Sequence, residues 1–311
     1  MSEADWNMQD RYRIREIRSV GDLANSLESG DKFNVRDVHR TDYGEWVPEG
    51  RHETAPGIAG PKLVWRGVDD ISYRLDSSLY RRVKKSTNAQ PKELLLATEE
   101  DSILLRARKL RYDIRDGERL SDLELLAVLQ HYGAATRLVD VTRNVLVALW
   151  FASEPGTLQS RMGGGPDGVM FGVDISNCTL PETAERQSIR TLRRNSGLVH
   201  WEPPPLEQRI RAQQGSFIFS RMPPPSPQSV AADRNTSLDL EPFDLESAFD
   251  EWSTTFPPRQ KYAPKRKAKL VVFKIPFAYK MRIRAELARF YGQDDETVYP
   301  DLPGFARAWK A

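Results

Sequence analysis

The residues of this sequence best able to do chemistry fall in one short stretch, QHYGAATRLVDVT (130–142). Thr136 to Val141 reads as a strand of period two, with Thr136, Leu138 and Asp140 on one face and Arg137, Val139 and Val141 on the other. Polar side chains on a strand that runs into an apolar helix need partners, since burying them unpaired costs on the order of 1–3 kcal/mol. They either hold a network together or meet a ligand. Arg137, on the opposite face, is expected to serve a structural carboxylate. His131 and Tyr132 stand at a helix end just before Gly133. There a protonated His gains from the helix C-terminus and a Tyr offers a flat face; the plainer alternative is a C-terminal cap with a packed aromatic. Arg66 ends the strand LVWRG (63–67), where its guanidinium fork is suited to grip phosphate oxygens at two points. An ion pair with Asp140 is the plainer role, and such a pair at the mouth of a cleft would serve both.

Other chemistries lack their residues. There is no Walker A loop, nucleophile elbow, H-E-x-x-H or kinase set. A single cysteine, Cys178, excludes an intramolecular disulfide and a Cys-based zinc site, and the four histidines show no ligand spacing. GGGPDG (163–168) leads into a strand, whereas a dinucleotide loop leaves a strand and opens a helix, so it reads as a turn. With 46 basic against 44 acidic residues, the net charge of +2 makes no general case for nucleic acid. The basic segment PRQKYAPKRKAK reads as a solvated charge run or, more sharply, as a phosphate contact, and it favours nucleic acid if it forms one basic face with QSIRTLRR (187–194).

The elements around this stretch are well marked. Ser121 with Glu124 has the spacing of a capping box, apolar residues fill the helix that follows, and Gly133 stops it. Thr142 is suited to cap the next helix, whose residues from Val145 to Ala152 are all apolar; such a helix is buried. VMFGVDI, SFIFS (216–220) and KLVVFKIP (269–276) bring the strands to at least five. AYKMRIRAELARFYG is a helix stopped at Gly292, and Ser19 with Asp22 opens a short N-terminal helix after a strand at 13–18. Residues 30–61 read as a surface excursion, and the Pro-rich 221–262 as a long, partly mobile loop. The expected fold is α+β, with mixed or antiparallel sheets flanked by helices, in a single domain whose core is 60–220 and 269–311. The N-terminal residues lack the apolar core of a signal peptide, and no apolar run approaches the roughly 18 residues of a membrane span. A cytoplasmic setting is expected.

Several motifs together resemble the FRG-domain family. WRG (65–67) followed by YRLDSSLYRR (73–82) is similar to its opening, which is named for a Phe-Arg-Gly triplet. LLAVLQHYGAATRLVDVTRNVLVALWFA (125–152) is similar to its central block. DGVMFGVDI, RIRAQQGSFIF (209–219), KLVVFKIP and YPDLPGFA (299–306) follow in the family's order. Trp65 replaces the Phe, Ala135 a Pro and Val141 a Trp, which bears on packing more than on chemistry.

This resemblance implies a prokaryotic or phage protein with a role in antiviral defence or a toxin system. The order of elements is also similar to that of ADP-ribosyltransferases, with Arg66, TRLVDVT plus VALWFA, VMFGVDI and RAQQGSFIF as the corresponding pieces. On that reading NAD is the substrate, bound by Arg66, Tyr132, Thr136 and Thr142, with His131, Asp140 and Gln214 as catalytic residues and no metal. Gln213 and Gln214 stand where such enzymes carry a glutamate; a Gln is no general base but can bond a ribose hydroxyl. Glu207 is a second candidate for that role. The acceptor would be a protein or a nucleic acid, the partner an antitoxin or another defence component, and no membrane is involved. Three classes stay open: an ADP-ribosyltransferase or NAD glycohydrolase, a non-catalytic nucleotide- or nucleic-acid-binding module, and a structural interaction protein.

Overall fold

The computed structural model describes residues 15–28, 38–40, 46–48, 63–73, 75–88, 91–155, 164–175, 178, 188–194, 197–204, 206–222, 240–242, 268–302, 304 and 306. The chain opens with β1 (Arg15–Glu16), α1 (Val20–Glu28) and a hairpin of β2 (Val38–Arg40) and β3 (Trp46–Pro48). Then come β4 (Leu63–Val68), α2 (Ser78–Thr87), α3 (Glu93–Lys109) and a second hairpin, β5 (Ile114–Arg115) with β6 (Glu118–Arg119). The central block forms α4 (Asp122–His131), β7 (Val139–Thr142) and α5 (Val145–Ala152). It is followed by β8 (Gly168–Asp174), α6 (Ile189–Leu192), β9 (Leu198–Trp201), α7 (Gln208–Ala212) and β10 (Gly215–Ser220). Last are β11 (Leu240–Pro242), β12 (Ala268–Ile275), α8 (Phe277–Tyr291) and α9 (Asp295–Val298).

One mixed sheet runs β1-β12-β8-β4-β7-β10-β9, with β11 also paired to β12. β1 and β11 lie parallel to β12, and the other neighbours are antiparallel. The α+β class expected from the sequence is the one found. The sheet nearly divides in the middle: β4 pairs with β8 from Leu63 to Val68 but meets β7 only at Trp65 opposite Thr142. Each half has its own helical cover. α1, α5 and α8 pack on the β4–β8–β12 half around Trp65, Trp150, Met170, Phe273 and Ile283. Leucines of α3 and α4 pack on the β9–β10 half against Trp201, Phe217 and Phe219. Burial of this apolar surface, at roughly 25 cal/mol per Å², supplies the main favourable term.

Local chemistry fixes the central block. Ser121 Oγ accepts from Glu124 N at 3.3 Å, and Glu124 Oε2 accepts from Ser121 N at 2.7 Å, a reciprocal capping box. Gly133 ends α4 with φ +88° and Gly292 ends α8 with φ +62°, as their positions in the sequence require. One expectation needs correction. The cap of α5 is Asn144, whose Oδ1 accepts from Leu146 N at 3.0 Å, while Thr142 Oγ1 accepts from Asn144 N at 2.9 Å and so orients the cap from outside. The apolar α5 is buried along Val147 to Trp150. It lies so close to the sheet that a Cβ at Gly67 would overlap the carbonyl of Ala148, and one at Gly168 that of Ala152. The glycine of the WRG triplet is therefore a seat for α5.

The Pro-rich 221–262 stretch falls almost wholly outside the described residues, as does the basic segment PRQKYAPKRKAK but for its last residues. Among the described residues no helix is long and apolar enough to cross a membrane.

Candidate functional site

Where β4 and β7 part, a cleft of about 320 Å³ opens between the two halves of the sheet. Its polar walls include Arg66, Gln130, His131, Asp140 and Thr142, and its aromatic wall is Phe151 and Tyr299. At its centre Arg66 Nη1 donates to the carbonyl oxygen of Asp140 at 2.8 Å and reaches Asp140 Oδ2 at 3.4 Å. Gln130 Nε2 donates to the other carboxylate oxygen, Oδ1, at 2.7 Å. Thr136 Oγ1 in turn bonds Gln130 Oε1, which fixes the amide's orientation. The Asp140 side chain is still 61% exposed and that of Arg66 23%, so a carboxylate with defined partners faces an open space. Both of Arg66's bonds run through Nη1, which leaves Nε and Nη2 for a ligand.

The sequence candidates separate into two groups. Arg66, His131, Asp140 and Thr142 line the cleft together. Thr142 Oγ1 donates to the carbonyl of Gln213 at 2.6 Å and so ties β7 to the turn before β10. Three others lie off it. Thr136 is fully buried, its NH donating to Ser78 Oγ at 3.0 Å and its carbonyl accepting from Leu79 N at 2.9 Å; its place is behind the cleft wall. Tyr132 caps α4 at 76% exposure, edge-on to His131 at 5.2 Å and outside the lining. Gln214 adopts a left-handed φ of 46°, and it is its neighbour Gln213 that lines the cleft, with Nε2 donating to Val298 O at 3.0 Å. Glu207 is spent on Arg115 at 2.9 Å.

Arg137 is structural, as expected, although the strand foreseen over 136–141 begins only at Val139 and leaves Arg137 in the bend before it. Its Nε donates to both oxygens of Glu100, at 3.1 and 2.9 Å, and its Nη2 to Glu93 at 3.0 Å. Arg193 adds a second cation, 3.4 Å from Glu100. Burial pushes the Glu100 carboxyl up against the pull of these two arginines.

Several cleft residues escaped the sequence reading, among them Arg209, Ser216 and Tyr299. Arg209, on α7, stacks over the Tyr299 ring at 4.8 Å and donates to Asp301 Oδ1 at 2.8 Å. The Arg209 guanidinium and the backbone NH of Gly304 hold the Asp301 carboxyl below its ordinary value despite burial. Tyr299 meets Phe151 and Trp150 edge-on, at 6.0 and 5.5 Å. Ser216 shares a 3.0 Å bond with Nε2 of buried His200, whose pKa burial pushes down to about 4. Glu202 approaches that same Nε2, at 3.9 Å, so among the described residues it does not complete a Ser–His–acid relay. The one signal for this group was the RIRAQQGSFIF and YPDLPG motifs. Burial pushes the Cys178 thiol up to about 12, which disfavours the thiolate.

An α+β protein with a cleft at a sheet division, floored by an Arg–Asp–Gln cluster, is the class these observations define. The FRG-domain family model matches residues 61–160, so the chain carries an FRG domain there. That span holds Arg66, Gln130, His131, Asp140, Thr142 and Phe151, whereas Arg209, Gln213 and Tyr299 complete the cleft from outside it. No curated protein and no solved structure matches the chain.

Proposed function

We propose that the cleft binds NAD and that the protein transfers its ADP-ribosyl group to an acceptor or to water, as an effector of antiviral defence or of a toxin system. The observation that carries this reading is Asp140, a half-exposed carboxylate held from two sides by Arg66 and Gln130. When the bond from ribose C1′ to the nicotinamide nitrogen breaks, positive charge develops on the ribose, and a fixed carboxylate beside it lowers the barrier. The same carboxylate takes the proton of the attacking hydroxyl or amine, while nicotinamide leaves as a neutral molecule. Arg66 supplies donors to the diphosphate. Phe151 and Tyr299 offer flat faces to a ring, and Gln213 offers an amide oxygen to a ribose hydroxyl.

The reading is tested by following nicotinamide release and labelled ADP-ribose with wild type and Asp140→Asn. Asn keeps the size and one acceptor oxygen but neither the charge nor the base, so turnover should fall by about 100-fold or more. A second reading, a nucleotide-binding module without catalysis, is favoured by one observation: Asp140 is the sole carboxylate among the described residues that line the cleft, and both its oxygens already accept bonds. NAD binding without nicotinamide release would select it.

A further inference from the structure

A second pocket of about 160 Å³ lies on the other side of the Asp140 cluster. Arg66, Gln130 and Asp140 line both cavities, so the carboxylate and its two partners are the wall between them. The smaller pocket has an apolar floor of Ala134, Leu138 and Val139 and a polar rim that includes Asp76, Ser78 and Arg81. That rim is where α2 begins. α2 (SLYRRVKKST) carries four cations, Arg81, Arg82, Lys84 and Lys85, and no acidic residue. Leu79, Tyr80 and Val83 are buried, which turns that stripe inward and leaves Arg81, Arg82 and Lys85 exposed and Lys84 half-buried.

This charge is poorly answered. Among the described residues the helix makes one ion pair, Arg82 with Glu99 at 3.9 Å, beyond hydrogen-bond range. Arg81 spends Nη1 on the carbonyl of Asp76 at 2.6 Å, a bond that points the guanidinium at the pocket rim without neutralising it. α8 shows the contrast: Arg282 meets Glu286 one turn on at 2.8 Å, and Arg284 meets Glu154 and Asp295. Unanswered cations along one exposed helix face attract a polyanion, because neutralising phosphates releases their counterions.

We propose that α2 is the docking surface for a single-stranded nucleic acid, whose phosphates sit on its four cations and whose unstacked nucleotide enters the smaller pocket to reach Asp140. A single strand is required, because a duplex keeps its bases in the stack, while a splayed base can lie on an apolar floor and bond a polar rim. The docking surface stands alone, but the strand's role as ADP-ribosyl acceptor rests on the NAD reading above. In that role a base or hydroxyl of the strand forms its bond to ribose C1′ as the bond to nicotinamide breaks, and its proton passes to Asp140.

The test uses the full chain and labelled single-stranded RNA and DNA oligonucleotides, read by fluorescence anisotropy between about 50 and about 200 mM salt. Wild type should bind with a steep salt dependence. Lys84→Ala/Lys85→Ala, which touches neither cavity, should melt as wild type does and lose about 1.4 from the log–log slope, at roughly 0.7 for each single-strand phosphate contact. Salt-independent binding, no binding, or equal slopes for the two proteins would overturn the surface. With labelled NAD in lysate, label in the nucleic-acid fraction that the variant loses supports the acceptor role, with nicotinamide release to water, measured without nucleic acid, as the control for an intact cleft. Label confined to protein overturns that role. Absence of any NAD turnover defeats the NAD reading and the acceptor role together, and leaves the anisotropy result to decide the surface.

Discussion

Two ionic clusters grow from the same six-residue segment, three residues apart, and they do opposite things. Arg137 is buried and surrounded: Glu100, Glu93 and the carbonyl of Ser220 take up its donors, and Glu100 itself is fully buried between Arg137 and Arg193. Asp140 faces the other way, holds one guanidinium by one nitrogen, and stays mostly in solvent. Arg137 stands in the bend just before β7 and Asp140 within β7, and the chain there sends one charge into the α3 side of the fold and the other to the cleft. The inner cluster spends its hydrogen-bonding capacity on the protein, and the outer one keeps some for a ligand.

Breaking the inner cluster should cost most. Glu100→Ala leaves Arg137 short of its main partner in a dry environment, and such losses run to about 3–5 kcal/mol. Chemical denaturation of the variant measures it, and a loss below about 1 kcal/mol would show that the inner cluster is no scaffold. Next in size is a pH effect beneath the cleft. His200 is neutral in the folded state, with its pKa pushed from 6.5 to about 4 by burial and by Arg143. A depressed His pKa means that the unfolded chain takes the proton first as pH falls. The stability His200 contributes is thus complete above pH 6.5 and lost between 6.5 and about 4. It amounts to about 3 kcal/mol. His200→Gln should flatten the fall in stability over that window, whereas Asp140→Asn, at the open cleft, should leave it unchanged.

The smallest structural effect should fall at Arg66, although turnover depends on it. Exposed pairs are worth about 0–1 kcal/mol, so Arg66→Ala should melt close to wild type. If instead it unfolds as readily as Glu100→Ala, the two clusters are alike and the cleft loses its special status.

Much of this was legible in the sequence, for reasons that are local. The capping box at Ser121, the glycine stop at Gly133 and the wholly apolar α5 mark the α4–β7–α5 unit. The alternation read over 136–141 set Arg137 apart from Asp140, although β7 itself begins only at Val139, and Arg66 met Asp140 as an ion pair at a cleft mouth. What was not legible depends on tertiary partners. α3 shows Leu94 and Leu105 to solvent at 78% and 72%, which blurs the apolar stripe that would announce it. Glu100 is one acid among several on that helix until Arg137 crosses to it. Tyr299 is far in sequence from both Arg209 and Phe151, and only the tertiary fold brings it against them. The choice of Gln213 over Gln214 accompanies the left-handed backbone of Gln214, which no residue type predicted.

The most direct test of the central claim is nicotinamide release from NAD by purified wild type and Arg66→Ala, each with a melting curve. The account predicts release by wild type, a fall of about 10-fold or more in the variant, and melting within about 1 kcal/mol of wild type. No release and no NAD binding by wild type, or equal release by both proteins, would contradict it.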